Sequence, residues 1–203
     1  MKDFLLHLFP RFVFKDDLRI TYTFCLGGLT FSAFLLLLLS GILLAFYYRP
    51  APSEAYASIL FLEEHVFLGR FLRNLHRLLS NTFLVLLLLH TLRVVFTGAF
   101  RFRSYNWGIG LLLMSAGVLV AYTGYALPMD QLGFWASKTG MTLLSVFPFG
   151  AAGQHLLTPD GVGGSLTLIR FYILHIIILP LGIIILVSIH FYRVRKDGLL
   201  PYY

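Results

Sequence analysis

Charge is scarce in this chain. Of its 203 residues only 12% are charged, while 58% are hydrophobic and the mean hydropathy is +0.82. About a quarter of the residues of a soluble domain are charged, so a soluble globule is excluded and one polytopic membrane domain is expected. Cysteine is almost absent: Cys25 stands alone, which rules out an intrachain disulfide. The N-terminal stretch MKDFLLHLFPRFVFKDDLR has neither a long apolar core nor a small-residue cleavage site. It therefore does not read as a cleaved signal peptide, and an amphipathic surface segment over 1–20 is expected instead. The net charge is +7, but no basic run lies outside the flanks of the apolar stretches, which argues against nucleic-acid binding. Linkers and low-complexity stretches are also missing, so residues 1–203 are expected to form a single membrane domain.

What the chain does have is four apolar stretches long enough to cross a bilayer. They run over about 24–47, 72–97, 107–127 and 168–192, here called spans A to D, and the fold class expected is an all-α bundle of four transmembrane helices. Pro50 and Pro52 end span A, and the C–D connection, about 128–165, is the longest and is rich in Gly and Pro. Lys2, Arg11, Lys15, Arg19, Arg93, Arg101, Arg103, Arg193, Arg195 and Lys196 fall on one side. Arg49, Arg70, Arg73, Arg77, Lys138 and Arg170 fall on the other. The first, more basic side is expected to be the negative (cytoplasmic or stromal) one, with both termini on it.

Histidine placement points to metal chemistry. His76 and His90 are fourteen residues apart in span B, and His175 and His190 fifteen apart in span D. At about 1.5 Å per residue each pair is separated by roughly 21 Å along its helix, most of a hydrocarbon core about 30 Å thick. Fourteen residues is two heptads, which keeps both imidazoles of span B on one side. Two parallel helices, each with an upper and a lower imidazole, suit two flat metal cofactors held one above the other. A haem ligated by two histidines has no open position and moves electrons without binding oxygen. The plainer alternative is four buried histidines hydrogen-bonded across helices, but intramembrane ionisable groups are costly and seldom coincide at matched depth.

Glycines repeat the same step. Gly27 and Gly41 in span A, and Gly110 and Gly124 in span C, are each fourteen apart, with Gly117 midway in C. Missing side chains let the walls of a haem site come close. Arg73 lies one turn before His76 and Arg93 three residues after His90. Each is a candidate partner for a haem propionate, or an interfacial arginine with its head in the headgroup region. Pro180, five residues after His175, is expected to kink span D, with Gly182 helping to absorb the extra residue.

At these residues the chain resembles cytochrome b6, the four-helix cytochrome b of b6f-type quinol-oxidising complexes. The likeness runs from Thr21 to the C-terminus. It is carried by Phe-Cys-Leu-Gly-Gly-Leu-Thr at 24–30, Phe-Tyr-Tyr-Arg-Pro at 46–50, Arg73-Asn-Leu-His76-Arg77, the segment from Thr123 to Gln131, Arg170-Phe-Tyr-Ile-Leu-His175 and the run from His190 to Gly198. The resemblance implies that His76 with His175 holds the positive-side haem b, and His90 with His190 the negative-side one. It implies a third haem, of c type, attached through one thioether at Cys25; a buried free cysteine is the alternative. It also implies a quinol pocket around Met129 to Phe134 and a negative-side quinone pocket near Arg195.

Two departures stand out. Met129 takes the place of the family's usual Trp after Pro128, and the C–D loop with His155 and Pro159-Asp160-Gly161 matches poorly. The Pro-Glu-Trp-Tyr quinol motif is lacking; in b6-type complexes a separate three-helix subunit carries it. The function implied is a transmembrane electron-transfer subunit that oxidises quinol on the positive side, reduces quinone on the negative side and couples this to proton translocation. Such a subunit is not active alone. It works with a three-helix companion, a Rieske iron–sulfur protein and a c-type cytochrome, in a complex that the family suggests is dimeric. Asp16, Asp17 and Asp197 are either inward proton relays or plain surface charges. The rival readings are a di-haem anchor of the formate-dehydrogenase or hydrogenase type and a transporter or scaffold without haem.

Overall fold

A computed structural model describes residues 26–196, and among these all regular structure is helical. The elements are α1 (Leu26–Ala45), α2 (Ala55–His65), α3 (Gly69–Phe96), α4 (Ala99–Phe102), α5 (Ser104–Ala126), α6 (Gln131–Val146), α7 (Gly150–Leu157), α8 (Ser165–Ile173), a π-helical turn (Leu174–Ile178) and α9 (Leu179–Lys196). The N-terminal surface segment, Cys25 and the aspartates 16, 17 and 197 lie outside the described residues. Among the described residues four helical stretches are long and apolar enough to cross a membrane: Leu26–Ala45, Gly69–Phe96, Ser104–Ala126 and Ser165–Lys196. Spans B, C and D each begin three residues before their expected starts. The protein is an all-α membrane protein, and its spans expose large side chains such as Leu39, Ile42, Leu78 and Leu112. In lipid such surface costs little, and helices satisfy every backbone polar group internally.

The C–D connection is not the irregular loop its Gly and Pro content suggests, since it contains α6 and α7. The extended Asp130 caps α6, its carboxylate accepting the Gly133 N–H at 2.7 Å. Gly133, Ser137 and Met141 then recur every four residues as the buried face of that helix. Two turns share one design. Leu68 and Phe149 adopt left-handed φ of 56° and 62°, and the glycine after each allows a backbone approach that no side chain permits. A Cβ would stand 1.9 Å from the Leu62 carbonyl oxygen at Gly69 and 1.8 Å from that of Leu144 at Gly150.

The described residues form two compact units, one of residues 26–35, 80–118 and 181–196, the other of 36–79 and 119–180. In the first, Phe34 and Phe83 meet at 6.1 Å between ring centroids. Gly117 leaves room there for Leu87 and Phe83, packing rather than ligand chemistry. In the second, Ala126, Met141 and Phe171 form a core flanked by Tyr122, Leu127, Leu144, Leu157 and Val162. The half-buried Tyr48 donates its hydroxyl to the Leu127 carbonyl at 2.6 Å, and its ring lies 5.3 Å from that of Tyr172. Burial, reinforced by Tyr172, pushes the Tyr48 phenol above its ordinary range, so it stays a donor.

Span D corrects one expectation. Gly182 does not take up the extra residue; the π turn does. The Leu179 N–H bonds back to the Leu174 carbonyl, five residues earlier, which lodges one residue more than an α turn holds. Pro180 explains the location, because it lacks an N–H and its ring would collide with the carbonyl four residues back in a regular α-helix.

Candidate metal centres

Each unit brings one histidine of span B to one of span D. In the unit of residues 36–79 and 119–180, the rings of His76 and His175 lie 6.4 Å apart between centroids, at 75°. In the other unit His90 and His190 lie 6.5 Å apart at 82°. Imidazole–metal bonds run to about 2 Å, so two of them in line, with about 1.2 Å from each nitrogen to its ring centre, span about 6.4 Å. Both separations fit one metal ion between the rings, and all four histidines are partly buried among apolar side chains.

The glycines have a more specific place than the walls of a cofactor pocket. Each faces one histidine ring. A Cβ on Gly27 would stand 3.1 Å from His90 Cε1, on Gly41 3.3 Å from His76 Cε1, on Gly110 3.7 Å from His190 Cε1 and on Gly124 2.4 Å from His175 Cε1. Spans A and C thus press their backbones against the imidazole edges, one glycine per histidine.

The hydrogen bonds behind the rings differ between the units. Ser40 Oγ lies 2.8 Å from His76 Nδ1. The Val120 carbonyl lies 2.8 Å from His175 Nδ1, with Thr123 Oγ1 at 3.4 Å. A carbonyl only accepts, so His175 Nδ1 carries the proton and Nε2 is left with its lone pair for a metal. In the other unit His90 Nδ1 and His190 Nδ1 are buried without a hydrogen-bond partner among the described residues.

The remaining candidates scatter. Arg73 forms an ion pair with Glu63 of α2, which occupies the guanidinium assigned to a propionate in the sequence. Arg93 is half-buried near the end of α3, and Arg195 is exposed near the end of α9. Met129, at φ 50°, lines a cleft of about 460 Å³ with Tyr56, Asp130, Gln131 and Leu132. Phe134 lines a different cavity of about 310 Å³ with Lys138, Met141 and Val162. Cys25 lies outside the described residues.

Residues 15–198 match the family described as Cytochrome b/b6/petB. The chain belongs to the cytochrome b/b6 family. It is 38% identical over 178 residues to a cytochrome b6 of Heliomicrobium gestii, covering 87% of this chain and 84% of that protein. It is 37% identical over 197 residues to a cytochrome b6 of Synechocystis, covering 91% and 87%. A chain of a hyperthermophilic respiratory Complex III matches at a TM-score of 0.80 and 29% identity, over 89% of this chain and 49% of that one, so this cytochrome b/b6 member spans about half of that structure's chain. The family implies b-type haems, and the facing imidazole pairs, 6.4 and 6.5 Å apart between ring centroids, leave room for one iron each. Sequence reading missed Ser40, Val120 and Thr123, the groups behind the ligands. A signal was there: a hydroxyl residue precedes the glycine in Ser40-Gly41 and Thr123-Gly124, whereas Leu26 and Ile109 precede Gly27 and Gly110.

Proposed function

We propose that this chain is the transmembrane electron-transfer subunit of a quinol-oxidising complex of the b6f/bc type. The observation that carries this is the pair of imidazole couples, 6.4 and 6.5 Å apart, one in each unit. His76 and His175 hold the positive-side haem b, and His90 and His190 the negative-side one. Such a bis-histidine haem supplies a one-electron carrier closed to oxygen. Gly27, Gly41, Gly110 and Gly124 let the four ligand rings stand upright against spans A and C. Residues 1–203 act as one domain with two redox stations.

In this reading quinol is oxidised beside Met129 and Phe134 on the positive side, and quinone is reduced near Cys25 and Arg195 on the negative side. The electrons cross between the two sites within this subunit, and proton release and uptake occur on opposite faces. Both termini lie on the negative side, in a bacterial inner membrane or a thylakoid-type membrane. The open cleft at Met129, lined by Tyr56 and Gln131, supports the positive-side placement. Arg93 remains a propionate partner. Arg73 serves in that role only after leaving Glu63. The thiol of Cys25 carries a third haem, of c type, through one thioether. Turnover needs a three-helix companion subunit, a Rieske iron–sulfur protein and a c-type cytochrome acceptor, in a dimeric complex.

Purification in detergent followed by a pyridine haemochrome assay tests this. Two haems b per chain are expected, with a third, extraction-resistant haem that a Cys25→Ala variant loses. A His90→Leu variant is expected to keep the haem of His76 and His175 alone. A colourless, iron-free protein overturns the proposal, and a His90→Leu variant with both haems overturns the pairing.

A further inference from the structure

Ser40 sits where span A meets the ring of His76, one residue before the glycine that gives that ring room. Its Oγ has three neighbours: the Leu36 carbonyl at 2.8 Å, the Leu37 carbonyl at 3.2 Å and His76 Nδ1 at 2.8 Å. A serine hydroxyl has one proton and two lone pairs. Carbonyls accept only, so the proton goes to the carbonyl of Leu36 or Leu37, within the helix. What Ser40 offers His76 is therefore a lone pair, and the proton between them belongs to Nδ1. From this geometry we infer that Ser40 is a positioning residue: it accepts the His76 Nδ1–H, fixes that tautomer with Nε2 free, and strengthens the ring as a donor to iron.

This rests on the haem reading above and deepens it. An acceptor behind a ligating imidazole raises its basicity and holds its orientation. A more basic ligand favours the ferric state and lowers the reduction potential of the iron it holds. Gly41 and Ser40 divide the task, the glycine admitting the ring edge and the serine holding its far nitrogen. Among the described residues His90 has no such group, because its Nδ1 is buried there without a hydrogen-bond partner. The two sites therefore differ in what stands behind their span B ligand, and the site of His90 and His190 is a control within the same molecule.

The test is a redox titration of the haem-loaded complex, following each haem by its visible band, for the unmodified chain and for Ser40→Ala and Ser40→Thr. In Ser40→Ala the haem of His76 and His175 is expected to become about tenfold easier to reduce, about 59 mV for one electron. The haem of His90 and His190 stays put, and Ser40→Thr, which restores the hydroxyl, returns the first haem to its starting potential. An unmoved potential in Ser40→Ala, equal shifts at both haems, or a threonine variant that behaves like alanine overturns the inference. If Ser40→Ala loses that haem, Ser40→Cys takes its place, since a thiol is a weak acceptor; a smaller shift in the same direction is then expected, and none overturns the inference. A chain that binds no haem sinks the proposed function as well, whereas two haems with unmoved potentials sink the role of Ser40 alone.

Discussion

Gly124 stands so close to His175 that a Cβ there would meet the ring's Cε1 at 2.4 Å and its Nδ1 at 2.9 Å. The ring cannot yield, since its Nδ1 is held by the Val120 carbonyl at 2.8 Å. Gly124→Ala is therefore expected to displace His175 at a cost of about 1–3 kcal/mol, the usual range for overpacking, and to lose the haem of that site. The four glycines should rank by distance, with Gly110→Ala the mildest because its Cβ would rest at 3.7 Å, an ordinary contact. Haem content of the four alanine variants, by pyridine haemochrome, checks the order; a Gly110→Ala variant worse than Gly124→Ala refutes it.

Tyr48 ties the end of span A to the end of span C through its 2.6 Å bond to the Leu127 carbonyl. Tyr48→Phe keeps the ring contact with Tyr172 and leaves that carbonyl without its donor, at a cost of about 1–3 kcal/mol. A lower thermal midpoint in detergent, with both haem bands intact below it, is the expected result. An unchanged midpoint would show that water replaces the phenol at no cost.

Asp160 holds the start of α8. Its carboxylate accepts from the Thr167 hydroxyl at 2.7 Å and from the N–H groups of Leu166 and Thr167 at 2.7 and 3.1 Å. The Thr167 hydroxyl, the largest influence, together with the backbone donors holds its pKa below the ordinary carboxylate value, against an opposing effect of desolvation that ranks second. A depressed acid pKa contributes stability that is fully present above the unfolded value, about 4. That stability is lost as the pH falls through the folded value. Hydrogen exchange across residues 160–168 should therefore speed up below about pH 4, beyond the intrinsic pH trend, in the natural chain and not in Asp160→Asn.

Arg73 and Glu63 form a pair whose side chains are 33% and 19% exposed. Glu63→Gln takes the charge from a mostly buried partner, should cost about 1–3 kcal/mol, the range for a hydrogen bond to a charged group, and should release Arg73. If the freed guanidinium turns to a propionate of the haem at His76 and His175, that haem's potential shifts while the other's does not. A redox titration decides between this and an arginine that serves only to hold α2 on α3.

Much of this was legible in the residues. The spans show in the hydropathy, and the histidine couples in their depth, because a buried imidazole in lipid needs a reason to be there. The glycine repeat was visible, but its meaning was not. Spacing shows that a wall is bare without showing that an imidazole edge fills the gap. Ser40 was passed over because a serine in an apolar helix usually bonds its own backbone, as this one also does. The helices α6 and α7 were hidden by Gly133, Gly140, Pro148 and Gly150. Those residues break helices in general, yet here they sit on the buried face or at the turns. Met129 precedes the Asp130 cap and Phe134 follows it inside α6, and the two line different cavities.

The π turn at 174–178 makes residue number an unreliable ruler in span D. Upstream of it, positions can be matched one for one to a span that is α-helical throughout; past Ile178 the count must be restarted with an offset of one. A chimera joined by numbering alone across that point would rotate everything downstream by about 100°, one residue's worth of helix.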